Sequence, residues 1–201
     1  MLTGHGIVWC HAVGAEAEHG RLDVSILRWP ILTGAFAALL VVGLGSAQGA
    51  GKPGRQTFLG QYGAWYAYRL MESGQRICYM VSKPARSRGK YKKRGDVVAF
   101  VTHRPKAGEK DVVNFQAGYS YKRGSKVTVR IGKKTFNLTT DRDAAWSRNA
   151  GEDRVLVAAM VRGSTLVLKG KSKSNIATTD TYSLKGFTRA RKRINRACKI
   201  K

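Results

Sequence analysis

Acidic residues are scarce in this sequence. Against 37 Lys and Arg, the 201 residues hold only 12 Asp and Glu, a formal charge of +25. That balance excludes an acidic solvating chain and draws polyanions of every kind: nucleic acid, anionic lipid headgroups, lipopolysaccharide, sulfated glycans. Histidine and cysteine are also scarce, at four and three. His5, His11 and His19 lie near the start, which leaves His103 alone in the remainder. One histidine cannot supply a metal site of three or four ligands, and a serine nucleophile would have no other base to use. No Gly-rich phosphate loop occurs. Cys78 and Cys198 are far from the C-x-x-C spacing of a redox centre. Asp141 and Asp143, in TTDRDAAW, read as a turn ahead of Trp146 and not as a catalytic carboxylate pair. The expectation is a protein without enzymatic activity, cofactor, metal or small-molecule substrate.

What is present begins with an apolar segment. Pro30 to Leu44 carries no charge, follows Arg21 and Arg28, and precedes the small residues Gly45-Ser46-Ala47. A basic region, an apolar region and a small-x-small site in that order read as an export signal cut after Ala47. The run falls short of the ~20 residues of a transmembrane helix; an uncleaved anchor and a buried core helix are the competing readings. No Cys stands directly after it, at the cleavage site, to carry a lipid. The stretch before it, with Glu16, Glu18 and Asp23, is longer than such signals carry, and predicts a true start near Val24 or Leu27. Cleavage would remove Cys10, and the charge would rise to +26, because residues 1–47 hold two basic and three acidic residues. Cys78 and Cys198 then form an even pair, which in an oxidising compartment reads as a disulfide; two separate buried thiols are the alternative.

Three parts are expected: the signal at 1–47, a Gly-rich flexible lead-in at 48–60, and one domain at 61–201. From Tyr62 onward, short aromatic and β-branched runs alternate with Gly or charged clusters. The runs at 64–70, 76–82, 96–105, 111–121, 126–131, 134–140, 165–172 and 177–186 predict strands, the fifth and sixth joined as a hairpin through Gly132-Lys133. Ala150 to Ser164 predicts a helix, with Glu152 and Asp153 at its start, Arg162 near its end and Gly163 as its stop. Phe187, Ala190, Ile194, Ala197 and Cys198 share one face of a second helix, with Arg and Lys elsewhere around it. The expected fold is mostly β: an antiparallel β-sandwich or flattened barrel of about eight or nine strands with two short helices.

Several blocks in order carry a resemblance: KRGDVVAFVTHRP, FQAGYSYKRGSKVTVRIGKKTFNL, AAWSRNAGEDRVLVAAMVRGSTLVLKGKS and TTDTYSLKGFTRA, then a late Cys. From about Trp65 to its end the chain resembles the invasion-associated locus B family of exported bacterial proteins. The resemblance implies a β-rich domain of the alphaproteobacterial envelope. The family's name comes from host-cell entry by a pathogen, and it supplies no catalytic residues to carry over.

This sequence adds two basic clusters. Arg86, Arg88, Lys90, Lys92, Lys93 and Arg94 crowd one loop; Arg189, Arg191, Lys192, Arg193 and Arg196 decorate the final helix. A Cys78–Cys198 bridge would hold that helix near the early strands, so the clusters are expected to merge into one field that binds anionic envelope or host-surface polymers. Solvated charge serving solubility is the alternative. A cytoplasmic nucleic-acid-binding protein is the rival function, and it requires that residues 30–47 not act as a signal. Arg94-Gly95-Asp96 matches an integrin-read tripeptide, but a turn at Gly95 opening a strand explains it as well.

Overall fold

Alternation of apolar and polar residues builds most of this domain, and pairing alone builds the rest. The computed structural model describes residues 54–91 and 93–200. The expected signal, Cys10, the first part of the lead-in, Lys92 and Lys201 lie outside the described residues. In chain order the strands are β1 (Arg55–Tyr62), β2 (Trp65–Glu72), β3 (Gln75–Ser82), β4 (Arg86–Arg88), β5 (Val98–Arg104) and β6 (Glu109–Gln116). They continue with β7 (Val127–Ile131), β8 (Lys134–Asp141), β9 (Ala144–Trp146), β10 (Thr165–Lys171) and β11 (Ala177–Ser183). Helix α1 (Ala150–Arg162) lies between β9 and β10, and α2 (Phe187–Cys198) ends the domain.

All eleven strands join one antiparallel sheet, in the order β1-β2-β3-β5-β6-β9-β8-β7-β10-β11-β4. Strand β8 serves both halves: Lys134 to Leu138 pair with β7, and Thr139 to Asp141 pair with β9. The halves meet across their inner faces. Trp65 Nε1 donates to the Ser183 carbonyl at 3.0 Å, and the Phe115 ring lies 5.9 Å from that of Tyr182. The result is sandwich-like. It is not the flattened barrel also expected, because β1 and β4 remain as edges.

Three strands exceed the eight read from the sequence. Residues 55–60, expected to be flexible, are the edge strand β1, which pairs with β2 through a bulge between Phe58 and Gly60. Strand β4 has three exposed residues and exists by pairing with β11. Strand β9 closes a short hairpin with β8 around Arg142-Asp143.

Buried side chains from both halves share one core, in which Trp65, Phe115, Tyr182 and Phe187 are the large members. Helix α2 buries Phe187, Ala190, Ile194 and Cys198 against β1, β2, β3 and β5. Cys198 bonds to Cys78 of β3, with Cα atoms 5.8 Å apart, so the expected disulfide is formed. Helix α1 is capped by the Asn149 side chain, which accepts from the Glu152 amide. Its buried Asp153 accepts from Val113 N–H of β6 at 3.1 Å, satisfying an edge amide just before β9 begins to pair. Gly163 follows α1, but its φ of −88° is not left-handed. It is glycine for space, since a Cβ there would meet Ile131 at 2.5 Å.

The outer face of the first half is aromatic. Phe58, Tyr68, Tyr79 and Phe100 cross four strands with successive ring centroids 5.4, 5.2 and 6.2 Å apart. Cross-strand pairs of this kind hold register.

Candidate polyanion-binding surface

The register of the second half sets out its exposed side as a grid. Val127, Val129, Ile131, Leu166, Leu168, Asp180 and Tyr182 point inward and are buried. Alternation therefore turns their neighbours outward. One row runs Thr135, Arg130, Val167, Thr181, Arg86 from β8 to β4. The next runs Asn137, Thr128, Lys169, Thr179, Arg88, and Lys171 faces Ala177 in a third. Arg86, Arg88, Arg130, Lys169 and Lys171 are all exposed. No carboxylate occupies any outward position of these rows. With strands ~4.8 Å apart, the cations stand at spacings of about 5–15 Å across the exposed side of the sheet, interleaved with threonine hydroxyls.

Two of those cations, Arg86 and Arg88, belong to the loop cluster read from the sequence. Lys90 and Lys93 of that cluster are also exposed. Arg94 is not part of it. Its guanidinium forms two hydrogen bonds with Asp180, at 2.8 and 2.9 Å, and two with the Ala117 carbonyl, at 3.0 and 2.7 Å. It also lies 5.0 Å from the Tyr119 ring, which stacks on Tyr91. Burial opposes its charge, but Asp180 outweighs that and raises its pKa. The adjacent Gly95 is a contact and not a free turn: its N–H donates to Gly118 O, and Gly118 has the left-handed φ of 67°. A Cβ on Gly118 would meet Gly95 O at 2.4 Å. Asp96 precedes the strand, which begins at Val98.

The helix cluster is split as well. Arg189, Lys192 and Arg196 are exposed. Arg191 grips Asp111 with two hydrogen bonds, at 2.8 and 2.6 Å, and Arg193 donates to the Leu59 carbonyl at 3.3 Å. Helix α2 covers the inner face of β1–β3 and β5, whereas β4 extends the other half. The two clusters therefore do not merge as expected; the partners that do adjoin β4, namely Arg130, Lys169 and Lys171, come from other strands.

His103 is fully buried. Its Nδ1 accepts from Asp111 N–H at 3.0 Å, which places the proton on Nε2, 2.7 Å from Asn195 Oδ1. Burial lowers its pKa, against the opposing pull of the Asp111 charge and the Asn195 hydrogen bond; Arg191 and Lys110 lower it further. The ring is a neutral strut between β5, β6 and α2, with both nitrogens engaged. The unfolded chain then binds the extra proton first, so stability is expected to fall as pH drops below about 6.5, with a slope of at most about 1.4 kcal/mol per pH unit. Urea midpoints of wild type and His103→Gln between pH 5 and 7.5 check this; equal slopes would contradict it.

Among the described residues no cluster of three or more His, Cys, Asp or Glu could hold a metal ion, and no helix is long and apolar enough to cross a membrane. The model of the family described as "Invasion associated locus B (IalB) protein" matches residues 65–195. No curated protein and no solved structure matches the chain.

Proposed function

The chain belongs to the invasion associated locus B family, and from that premise we propose an exported, non-enzymatic envelope protein whose basic sheet face holds anionic envelope or host-surface polymers. One observation carries the reading: Arg86, Arg88, Arg130, Lys169 and Lys171 share a face with no carboxylate to neutralise them. A carboxylate-free grid attracts an extended polyanion without first breaking internal ion pairs, and threonine hydroxyls between the cations offer hydrogen bonds to sulfate or phosphate oxygens. The exposed Arg189, Lys192 and Arg196 on α2 add long-range attraction from another surface. Export is supported by the apolar segment ending in small residues before Gln48 and by a disulfide, which belongs to oxidising compartments. The absence of an enzymatic role is supported by His103, whose two ring nitrogens are both occupied. A cytoplasmic nucleic-acid-binding role is not favoured.

The test takes protein from fractionated cells, expected in the periplasmic or surface fraction with Gln48 as its first residue, and measures its retention on heparin. Replacing Arg130, Lys169 and Lys171 by Gln is expected to weaken binding about tenfold at 0.1 M salt, taking three contacts of about 0.5 kcal/mol each. The same exchange at Arg189, Lys192 and Arg196 should do distinctly less. An unprocessed cytosolic chain contradicts export, and equal losses from both triple variants contradict the face.

A further inference from the structure

A second basic site lies away from the sheet face, where α1, α2 and the first residues of β6 line an open cleft of about 400 Å³. Four cationic side chains line it, Lys110, Arg154, Arg162 and Arg191, against one carboxylate, Asp111. That carboxylate is already held by two hydrogen bonds from Arg191. The floor is braced from below. The Asp111 amide is fixed on His103, and His103 on Asn195 of α2. Asp111 keeps a left-handed φ of 58°, a conformation that costs a non-glycine residue about 1 kcal/mol or more.

The wall contributed by α1 has its own pattern. Arg154, Ala158 and Arg162 follow one another at helical spacing, with Val157 and Val161 beside them. Arg154 and Arg162 stand two turns apart, about 12 Å along the axis, a gap that two arginine side chains can close over a small anion. Both are exposed, and no ion pair among the described residues engages either. Between them lies apolar surface, with Val161 left 38% exposed beside its charged neighbours. A free inorganic anion would satisfy the arginines and leave that surface wet. A ligand that begins as an anion and continues as hydrocarbon would cover both.

We propose that this cleft binds a phosphate monoester carried on a hydrocarbon chain: the phosphate rests between Arg154 and Arg162 with Lys110 at its side, and the first carbons lie along Val157, Ala158 and Val161. Arginine suits the phosphate because its planar fork can donate two hydrogen bonds at once. The Arg191–Asp111 pair is a neutral base to the cleft, so the positive field there comes from Lys110, Arg154 and Arg162. The site is separate from the polymer-binding face and does not depend on it.

Isothermal titration tests the proposal with three probes: dodecyl phosphate below its micelle concentration, inorganic phosphate, and dodecyl maltoside as a neutral amphiphile. Dodecyl phosphate should bind at least about tenfold more tightly than inorganic phosphate, about two buried methylene groups being enough for that factor. Dodecyl maltoside should show no saturable binding. Arg154→Gln/Arg162→Gln should lose at least about tenfold for dodecyl phosphate while keeping the wild-type melting temperature and heparin retention, since both side chains are exposed. Lys169→Gln/Lys171→Gln should bind dodecyl phosphate as wild type does. Equal affinity for inorganic and dodecyl phosphate, binding of the maltoside, no binding by wild type, or an unaffected R154Q/R162Q variant would each overturn it.

Discussion

Removing the disulfide by Cys78→Ala/Cys198→Ala is expected to cost up to about 5 kcal/mol, the chain-entropy ceiling for a loop of this size. The bridge spans 120 residues of sequence, nearly the whole described domain. It joins the last residue of α2 to the middle of β3, so it closes the loop at the end where fraying would begin. Without it α2 keeps its buried face of Phe187, Ala190 and Ile194, the Arg191–Asp111 pair and the His103–Asn195 hydrogen bond. The helix should therefore still dock, but on a less stable domain. Urea unfolding of the double variant, and of wild type with and without reductant, measures the difference. A midpoint unmoved by either treatment would show that the bridge adds nothing.

The second large effect concerns Arg94 and Asp180. Asp180→Ala should cost about 3–5 kcal/mol, the usual loss when one member of a buried ion pair is removed and the other stays. Asp180 is 1% exposed, and the Arg94 side chain 12%. The surroundings are Tyr119, Tyr121 and Tyr182, which cannot replace a carboxylate as counter-charge. Arg94→Lys should lose part of this, because an ammonium cannot serve Asp180 and the Ala117 carbonyl in the same fork geometry. Removing both charges, Arg94→Met with Asp180→Leu, should cost less than Asp180→Ala alone. With Arg94→Met and Asp180→Leu also measured singly, purely additive losses in that cycle would contradict a coupled pair. The same geometry disposes of the adhesion reading of Arg94-Gly95-Asp96. A receptor would need Arg94 on the surface, and its guanidinium is bound inside the fold, while Asp96 stays exposed beside Lys83.

Arg94 also shows where reading a sequence stops. Within Lys92 to Arg94 the three side chains look alike as a basic run, and nothing local distinguishes the one whose partner lies 86 residues away. Strands with two clear faces were legible: VTVRI, TLVLKGK and ATTDTYS alternate as half-buried strands should. Helix α2 was legible from its apolar spacing, and the disulfide from cysteine arithmetic. Strand β4 was not, since RSR has no apolar residue and owes its form to β11. Strand β1, RQTFLGQY, hides behind a bulge and its polar composition. The proposed polymer-binding face lay half in view. Outward Thr, Lys and Arg can be read in each strand, but their assembly depends on the order β7-β10-β11-β4. That order is a long-range property, which no window along the chain contains. The cleft beside α1 was missed for the same reason: its residues come from three separate elements.

The most direct test of the proposed polymer-binding face is lysine acetylation footprinting, read by mass spectrometry, with and without a saturating heparin oligosaccharide. Lys169 and Lys171 are expected to be protected at low salt and to regain full reactivity at high salt, as screening of a contact made by several charges requires. Lys192 on α2 should react alike in all conditions. Uniform protection of every lysine, or protection at Lys192 with Lys169 and Lys171 unchanged, would contradict the account.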